Sequence, residues 1–245
     1  RREGIRRSSS FRKRCDGSGL IEDVSFDLHK GEILGFGGLS ESGMHEIGKA
    51  IFGASYDRTG KVVLADGTEI NDIPTAIKHS IAYTSKDRDN ESVVLNQSIG
   101  DNICLPSLDE LAGKTHMLSD KKLKEFSNKF AKQMSVKMVN VDQFVSDLSG
   151  GNKQKVVLAR WIGKDSDIVV LDSPTRGIDI KVKQDIYQLM NQMRKNGKSI
   201  IMISEELMEL IGMCDRIVIM KDGKISGELE RSKQLDENSL ITMMV

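Results

Sequence analysis

Two short apolar runs constrain this chain more than any other feature. "DIVVLD", ending at Asp172, and "KSIIMIS", ending at Ser204, stand on either side of a segment, Lys181 to Asn196, that reads as a helix. Both runs are short, rich in β-branched residues, and do not alternate apolar with polar as a half-exposed strand does. Buried strands joined through a helix are expected to be parallel, because parallel neighbours need a crossover connection. "GEILGFGG", from Gly31 to Gly38, reads the same way: a buried strand that ends in glycines, followed by a helix over Gly43 to Phe52. The expected class is therefore α/β.

Other signals surround this centre. Asp66-Gly67 and Asp222-Gly223 each separate two β-rich runs, which is a hairpin signal. "IEDVSFDL" at Ile21 to Leu28 alternates like a half-buried strand. The stretch from about Ile99 to Gly163 is mostly helical in pattern, with Leu123, Phe126 and Phe130 at helical spacing and the surrounding lysines on a solvated face. The expected layout is a mixed sheet core with an antiparallel β subdomain and an inserted helical subdomain, all in one domain over 20–245. Residues 1–19 open with "RREGIRRSSSFRKR" and read as a basic linker or tail. That opening fits an inter-domain linker of a longer polypeptide, and fits a misplaced gene start equally well.

Charge removes some function classes. Lys plus Arg and Asp plus Glu number 36 each, so no net field draws the chain to nucleic acid or to an anionic membrane, and no nucleic-acid partner is expected. The apolar runs are too short to span a bilayer, so a membrane role has to pass through a partner. Cys15, Cys104 and Cys214 fit no metal or redox spacing and read as idle or buried thiols. The histidines at 29, 45, 79 and 116 show no ligand spacing either.

Three stretches carry chemistry. "GLSESGMH", Gly38 to His45, has the strand-to-helix setting and framing glycines of the phosphate loop GxxxxGK[ST], in which backbone amides surround phosphate, the lysine neutralises it and the hydroxyl ligates magnesium. Here Met44 stands at the lysine position and His45 at the hydroxyl position. Losing the lysine's charge-assisted hydrogen bond, worth about 1.5–3 kcal/mol, weakens nucleotide binding about ten- to a hundred-fold. Glu41 lies inside the loop, where its carboxylate either points to water or takes a phosphate's place at the helix N-terminus. In "DIVVLDSPTRGID" the strand ends in Asp172, a candidate magnesium ligand if nucleotide binds; Ser173 follows it where a hydrolase keeps a carboxylate to activate water. In "LSGGNKQKVVLARW", Ser149, Gly150 and Gly151 form a turn at the head of a helix and suit a terminal phosphate.

At these residues the sequence resembles the ATP-binding subunits of ABC transporters, specifically the C-terminal half of the tandem ATPases of sugar importers of the ribose, galactose and xylose type. The likeness covers nearly the whole chain from Leu20, including "AYTSKDRDNESVVLNQSI" and "ISEELMELIGMCDRIVIMKDGKISGE". It implies the P-loop NTPase fold of an ABC ATPase domain, with ATP and magnesium as cofactors. It also implies head-to-tail pairing with another ABC ATPase domain, so that each ATP lies between one domain's phosphate loop and the other's signature turn. By that resemblance Gly38, Ser42, Gly43, Met44 and His45 line this chain's own site. Ser149, Gly150, Gly151 and Gln154, with Asp179 of the D-loop, serve the partner's. Glu205 stands at the switch-histidine position, which C-terminal halves of this family commonly lack, and Ser173 and Glu41 mark a chain further from catalysis than its relatives. Ser85 to Arg88 match a segment that in the family contacts transmembrane permease subunits. These imply a place on the cytoplasmic face of the membrane, and an indirect link to an extracellular sugar-binding protein. The likeness lacks a clear first strand with the family's adenine-stacking aromatic; the only candidate for it is Phe11, in a basic, poorly apolar context. The expected role is energy coupling with a degenerate loop of its own and a signature motif acting in trans. The alternative is a non-catalytic relic that acts as an interaction or regulatory protein.

Overall fold

A computed structural model of the chain describes residues 4–5, 21–55, 60–232 and 234–245. The strands are β1 (Gly4–Ile5), β2 (Leu28–His29), β3 (Ile33–Gly38), β4 (Val62–Val63), β5 (Glu69–Ile70), β6 (Ile81–Thr84), β7 (Ile168–Asp172), β8 (Ser199–Ile203), β9 (Arg216–Lys221) and β10 (Lys224–Glu230). The helices are α1 (Met44–Ile51), α2 (Ile73–Lys78), α3 (Ile99–Cys104), α4 (Leu108–Ala112), α5 (Asp120–Gln133), α6 (Gly150–Gly163), α7 (Ile180–Lys195), α8 (Leu207–Met213) and α9 (Glu237–Met244). The chain divides into a sheet unit, Arg1–Tyr83 with Asp167–Pro174 and Asp185–Val245, and a helical unit, Thr84–Ser166 with Thr175–Gln184.

The sheet unit is built on one six-stranded sheet in the order β10-β9-β3-β8-β7-β6. β7 and β8 pair in parallel, Ile168 opposite Ser199 through Asp172 opposite Ile203, as their apolar runs require. β3 lies between β8 and β9, parallel to both, with Ile33, Leu34 and Phe36 fully buried. Burying each such side chain stabilises the fold by about 1.5–3 kcal/mol. β9 and β10 form an antiparallel hairpin at Asp222 (φ 48°) and Gly223 (φ 78°), the two left-handed residues that a tight turn of this twist needs. The smaller hairpin β4-β5 turns at Asp66-Gly67, where Asp66 Oδ1 accepts from the Thr68 N–H at 2.8 Å.

Ile21 to Leu28 departs from its strand expectation. Only Leu28–His29 pairs, antiparallel to β1, while Ile21, Val24 and Leu28 are buried at uneven spacing. Asp23 at φ 52° breaks the pleat, and the Glu22 N–H bonds the carbonyl of Gly223 rather than a neighbouring strand's ladder. Alternation in sequence makes a strand only where a partner ladder exists.

In the helical unit α3, α5 and α6 pack on one another around Ile99, Ile103, Phe130, Val145, Val157 and Trp161. Ser98 and Asp101 close a capping box at the start of α3. Cys104 is buried here and Cys214 in the sheet unit; burial pushes the Cys104 thiol up to about 11 and raises that of Cys214 further, so neither is a nucleophile. Cys15 and Phe11 lie outside the described residues.

Candidate functional site

The loop after β3 is shaped by its glycines. A Cβ on Gly38 would lie 2.3 Å from Ser42 Oγ and 2.7 Å from the Met220 carbonyl oxygen, so no larger residue fits. Gly43 caps α1 at φ 90°, a left-handed conformation that costs glycine little. Ser42 donates its N–H to the Leu39 carbonyl at 2.9 Å and accepts the Gly223 N–H at 3.0 Å, which ties the loop to the β9-β10 turn. Its hydroxyl is buried and has no hydrogen-bond partner among the described residues. Met44 is fully buried and brings no charge to the loop. Glu41 is exposed.

His45 points into the sheet unit, 9% exposed. Its Nδ1 lies 2.7 Å from Asp172 Oδ1 and its Nε2 lies 3.3 Å from Glu205 Oε1. Glu205 Oε1 also accepts the Ser40 hydroxyl at 2.9 Å, so both ends of the loop reach one carboxylate from the β8-α8 connection. Asp172, 1% exposed at the end of β7, accepts the Ser173 hydroxyl on Oδ1 at 3.2 Å and the Tyr83 hydroxyl on Oδ2 at 3.4 Å. Ser173 itself sits at φ 48°, with its N–H on the Ile203 carbonyl at 2.9 Å. The connection carrying Glu205 is braced from behind: Glu209 accepts the Ser204 hydroxyl at 3.1 Å and the Tyr187 hydroxyl, while the Ser204 oxygen accepts the Glu206 N–H at 3.0 Å.

These residues do not fit magnesium. The ion takes oxygen ligands in near-octahedral geometry and keeps several waters. At this loop a ring nitrogen replaces the hydroxyl ligand, and both oxygens of Asp172 accept hydrogen bonds from neighbouring side chains. Among the described residues no set of three or more His, Cys, Asp and Glu is placed to hold a metal ion.

The signature turn lies in the helical unit. Ser149 is the N-cap of α6, and its hydroxyl oxygen accepts from Asn152 Nδ2 at 2.9 Å. Cations stand close to it. A Cβ on Gly150 would lie 3.1 Å from a guanidinium nitrogen of Arg88, and Lys153 meets Asp89 at 3.1 Å, where Arg88 also reaches at 3.3 Å. Desolvation raises the Asp89 carboxyl, but the bonds from Lys153 and Arg88 outweigh it and hold the group below its ordinary value. Gly151 faces the start of α7: a Cβ there would lie 3.4 Å from Val182 and 3.7 Å from Asp179 Oδ2, and Asp179 Oδ1 caps the Val182 N–H at 3.0 Å. Gln154 is 4% exposed.

Sequence reasoning missed the residue that holds this helix. Arg160 is buried, and its guanidinium donates to the Asn102 carbonyl at 2.6 Å, the Ser92 carbonyl at 2.6 Å and Asn102 Oδ1 at 3.0 Å. With only neutral acceptors around it, burial pulls its pKa down to about 10. A lone arginine inside the apolar run "VVLARW" was the available signal. Tyr83, at the end of the otherwise apolar "IAYT", was another.

The expected residues thus gather in two groups: Gly38, Ser42, Gly43, Met44, His45, Asp172, Ser173 and Glu205 in the sheet unit, and Ser149, Gly150, Gly151, Gln154 and Asp179 in the helical unit. Residues 21–176 match the family described as ABC transporter. The chain belongs to that family. Its fold is that of an ABC cassette: a nucleotide-free ATP-binding cassette from an ABC transporter superposes with a TM-score of 0.79 at 17% identity, covering 99% of each chain. A bacterial ABC transporter cassette solved as a dimer gives 0.80 at 20% identity, covering 93% of this chain and 99% of that one. Among curated relatives, the ribose import ATP-binding protein RbsA of Lacticaseibacillus paracasei is 43% identical over 228 residues, 92% of this chain and 45% of that protein. The protein of the same name from Clostridium perfringens is 42% identical over 220 residues, 89% of this chain and 44% of its own length. This ABC cassette therefore spans less than half of the relatives it matches.

Proposed function

We propose that this cassette is the energy-coupling domain of a sugar importer, ribose being the sugar that its relatives' names indicate. Its Ser149–Gly151 turn completes the ATP site of a second cassette, while its own phosphate loop is degenerate and does not hydrolyse ATP. One observation carries the reading: the signature turn heads a fourteen-residue helix beside Arg88 and Lys153, whereas the loop at Gly38–His45 has no lysine and meets carboxylates. A terminal phosphate held on the partner's loop would receive the amides at the N-terminus of α6. Asn152 already donates to the Ser149 oxygen, which leaves the serine proton to point at that phosphate. Fixed donors of this kind lower a barrier by about 2.7–4 kcal/mol each. At the cassette's own loop Ser173 supplies no carboxylate to activate water, a loss of about 10²–10⁴-fold.

ATP is the nucleotide of this reading, and a cassette solved with ADP and Pi, 19% identical with a TM-score of 0.79, supports the fold's capacity for it. No helix among the described residues is long and apolar enough to cross a membrane. By analogy with its importer relatives, transmembrane permease subunits are the proposed membrane partners, with the cassette on the cytoplasmic face and a sugar-binding protein engaged indirectly. The proposed functional domain covers 20–245, with its helical subdomain at about 99–163. To test the trans role, mix this chain with a cassette bearing an unaltered GxxxxGK[ST] loop and measure ATP hydrolysis. Stimulation that Ser149→Arg reduces about 100-fold or more supports it. Absence of any stimulation overturns it in favour of an interaction protein.

A further inference from the structure

In a phosphate loop of the GxxxxGK[ST] kind, the terminal hydroxyl and the strand-end aspartate approach one divalent cation, and the nucleotide's terminal phosphate closes that cation's shell while resting on the loop. Here the two cation-holding positions touch each other directly, His45 Nδ1 on Asp172 Oδ1 at 2.7 Å. Beyond the ring stands an anion of the chain itself: Glu205 Oε1, 3.3 Å from His45 Nε2 and 2.9 Å from the loop's Ser40 hydroxyl. The series Asp172, His45, Glu205, Ser40 repeats, in side chains, the series aspartate, cation, phosphate, loop. We infer that this loop is filled from within, the His45 imidazole standing in for the divalent cation and the Glu205 carboxylate for the terminal phosphate, so that the site takes no Mg²⁺ and gains no nucleotide affinity from it.

Three features make this an arrangement rather than a lone contact. Asp172 is further engaged by Ser173 and Tyr83, which leaves neither of its oxygens without a protein donor. Glu205 does not lean in from a slack loop, because Ser204 and Glu209 brace its connection through Tyr187 on α7. And Glu41, the acidic residue inside the loop itself, is not the carboxylate that meets His45 and Ser40. A carboxylate from the β8-α8 connection has that position instead.

The inference rests on reading Gly38–His45 as a phosphate loop, and it is independent of the trans role, which Ser149 tests separately. The experiment is a calorimetric titration of the full chain with ATP, once with Mg²⁺ and once with EDTA, alongside Mn²⁺ binding followed by electron paramagnetic resonance. Wild type is expected to show no Mg²⁺-dependent gain in affinity and no nucleotide-dependent Mn²⁺ site. Glu205→Ala and His45→Thr, checked for folding by circular dichroism, are expected to gain Mg²⁺-dependent binding of about tenfold or more, since each opens one of the two filled positions. If His45→Thr does not fold, Glu205→Ala and Ser40→Ala carry the test. Tenfold tighter ATP binding with Mg²⁺ in wild type, lost in Asp172→Asn, would overturn the inference. So would folded Glu205→Ala that gains nothing.

Discussion

Two helix N-termini built with glycines meet different side-chain surroundings in this molecule. At α1 the neighbours are carboxylates, Asp172 and Glu205, with His45 between them; at α6 the cations Arg88 and Lys153 stand beside the turn, both paired with Asp89, and Asp179 lies near Gly151. A helix N-terminus carries about half a positive charge and attracts an anion in either case. On the proposed reading, Glu205 supplies an anion internally at α1, while Arg88 and Lys153 favour one from outside at α6. Two sites with the same backbone device can therefore divide into a silent and a serving role through their side chains alone.

The comparison can be sharpened from either end. The largest effect is the loss of trans-stimulated hydrolysis on Ser149→Arg described above, because it alters the α6 terminus itself. Next comes the anchor of that helix. Arg160→Ala removes three buried hydrogen bonds, two of them to the Asn102 and Ser92 carbonyls, so it is expected to lower stability by about 2–4 kcal/mol, read as a lower urea midpoint. An unchanged midpoint would mean that α6 is held by its apolar face alone.

The smallest effect concerns the cationic setting of the signature turn. Asp89 has a lowered pKa when folded, so its pair with Lys153 adds stability above the ordinary carboxylate value, and that increment disappears as pH falls through the lower, folded value. The pair is part-exposed, and after discounting for solvent it is worth about 0.2–1 kcal/mol. Lys153→Ala should thus be less stable than wild type at neutral pH and converge with it in acid. Parallel pH profiles for the two proteins would show that the pair contributes nothing.

Much of the fold was legible because its strands are buried on both faces, and such runs as "IVVL" and "SIIMI" announce themselves without a partner in view. Asp222-Gly223 was equally plain, since its two left-handed residues determine the turn locally. Ile21 to Leu28 misled because alternation reports burial, whereas a strand also needs a ladder that lies elsewhere in the chain. The candidate site divides along the same line. Gly38, Gly43, Asp172 and Ser149 were visible from local pattern. The contact between His45 and Glu205 joins positions 160 residues apart, and Arg160 bonds oxygens 58 and 68 residues away, so no local rule could reveal either.

The difference between the two helix termini is tested most directly by counting nucleotides. Trap the complex of this cassette and one with an unaltered phosphate loop in the presence of ATP, and weigh it by native mass spectrometry. The expected result is a single nucleotide per pair, lost on Ser149→Arg and retained on Asp172→Asn. Two nucleotides per pair, or one that Asp172→Asn removes while Ser149→Arg does not, would contradict it.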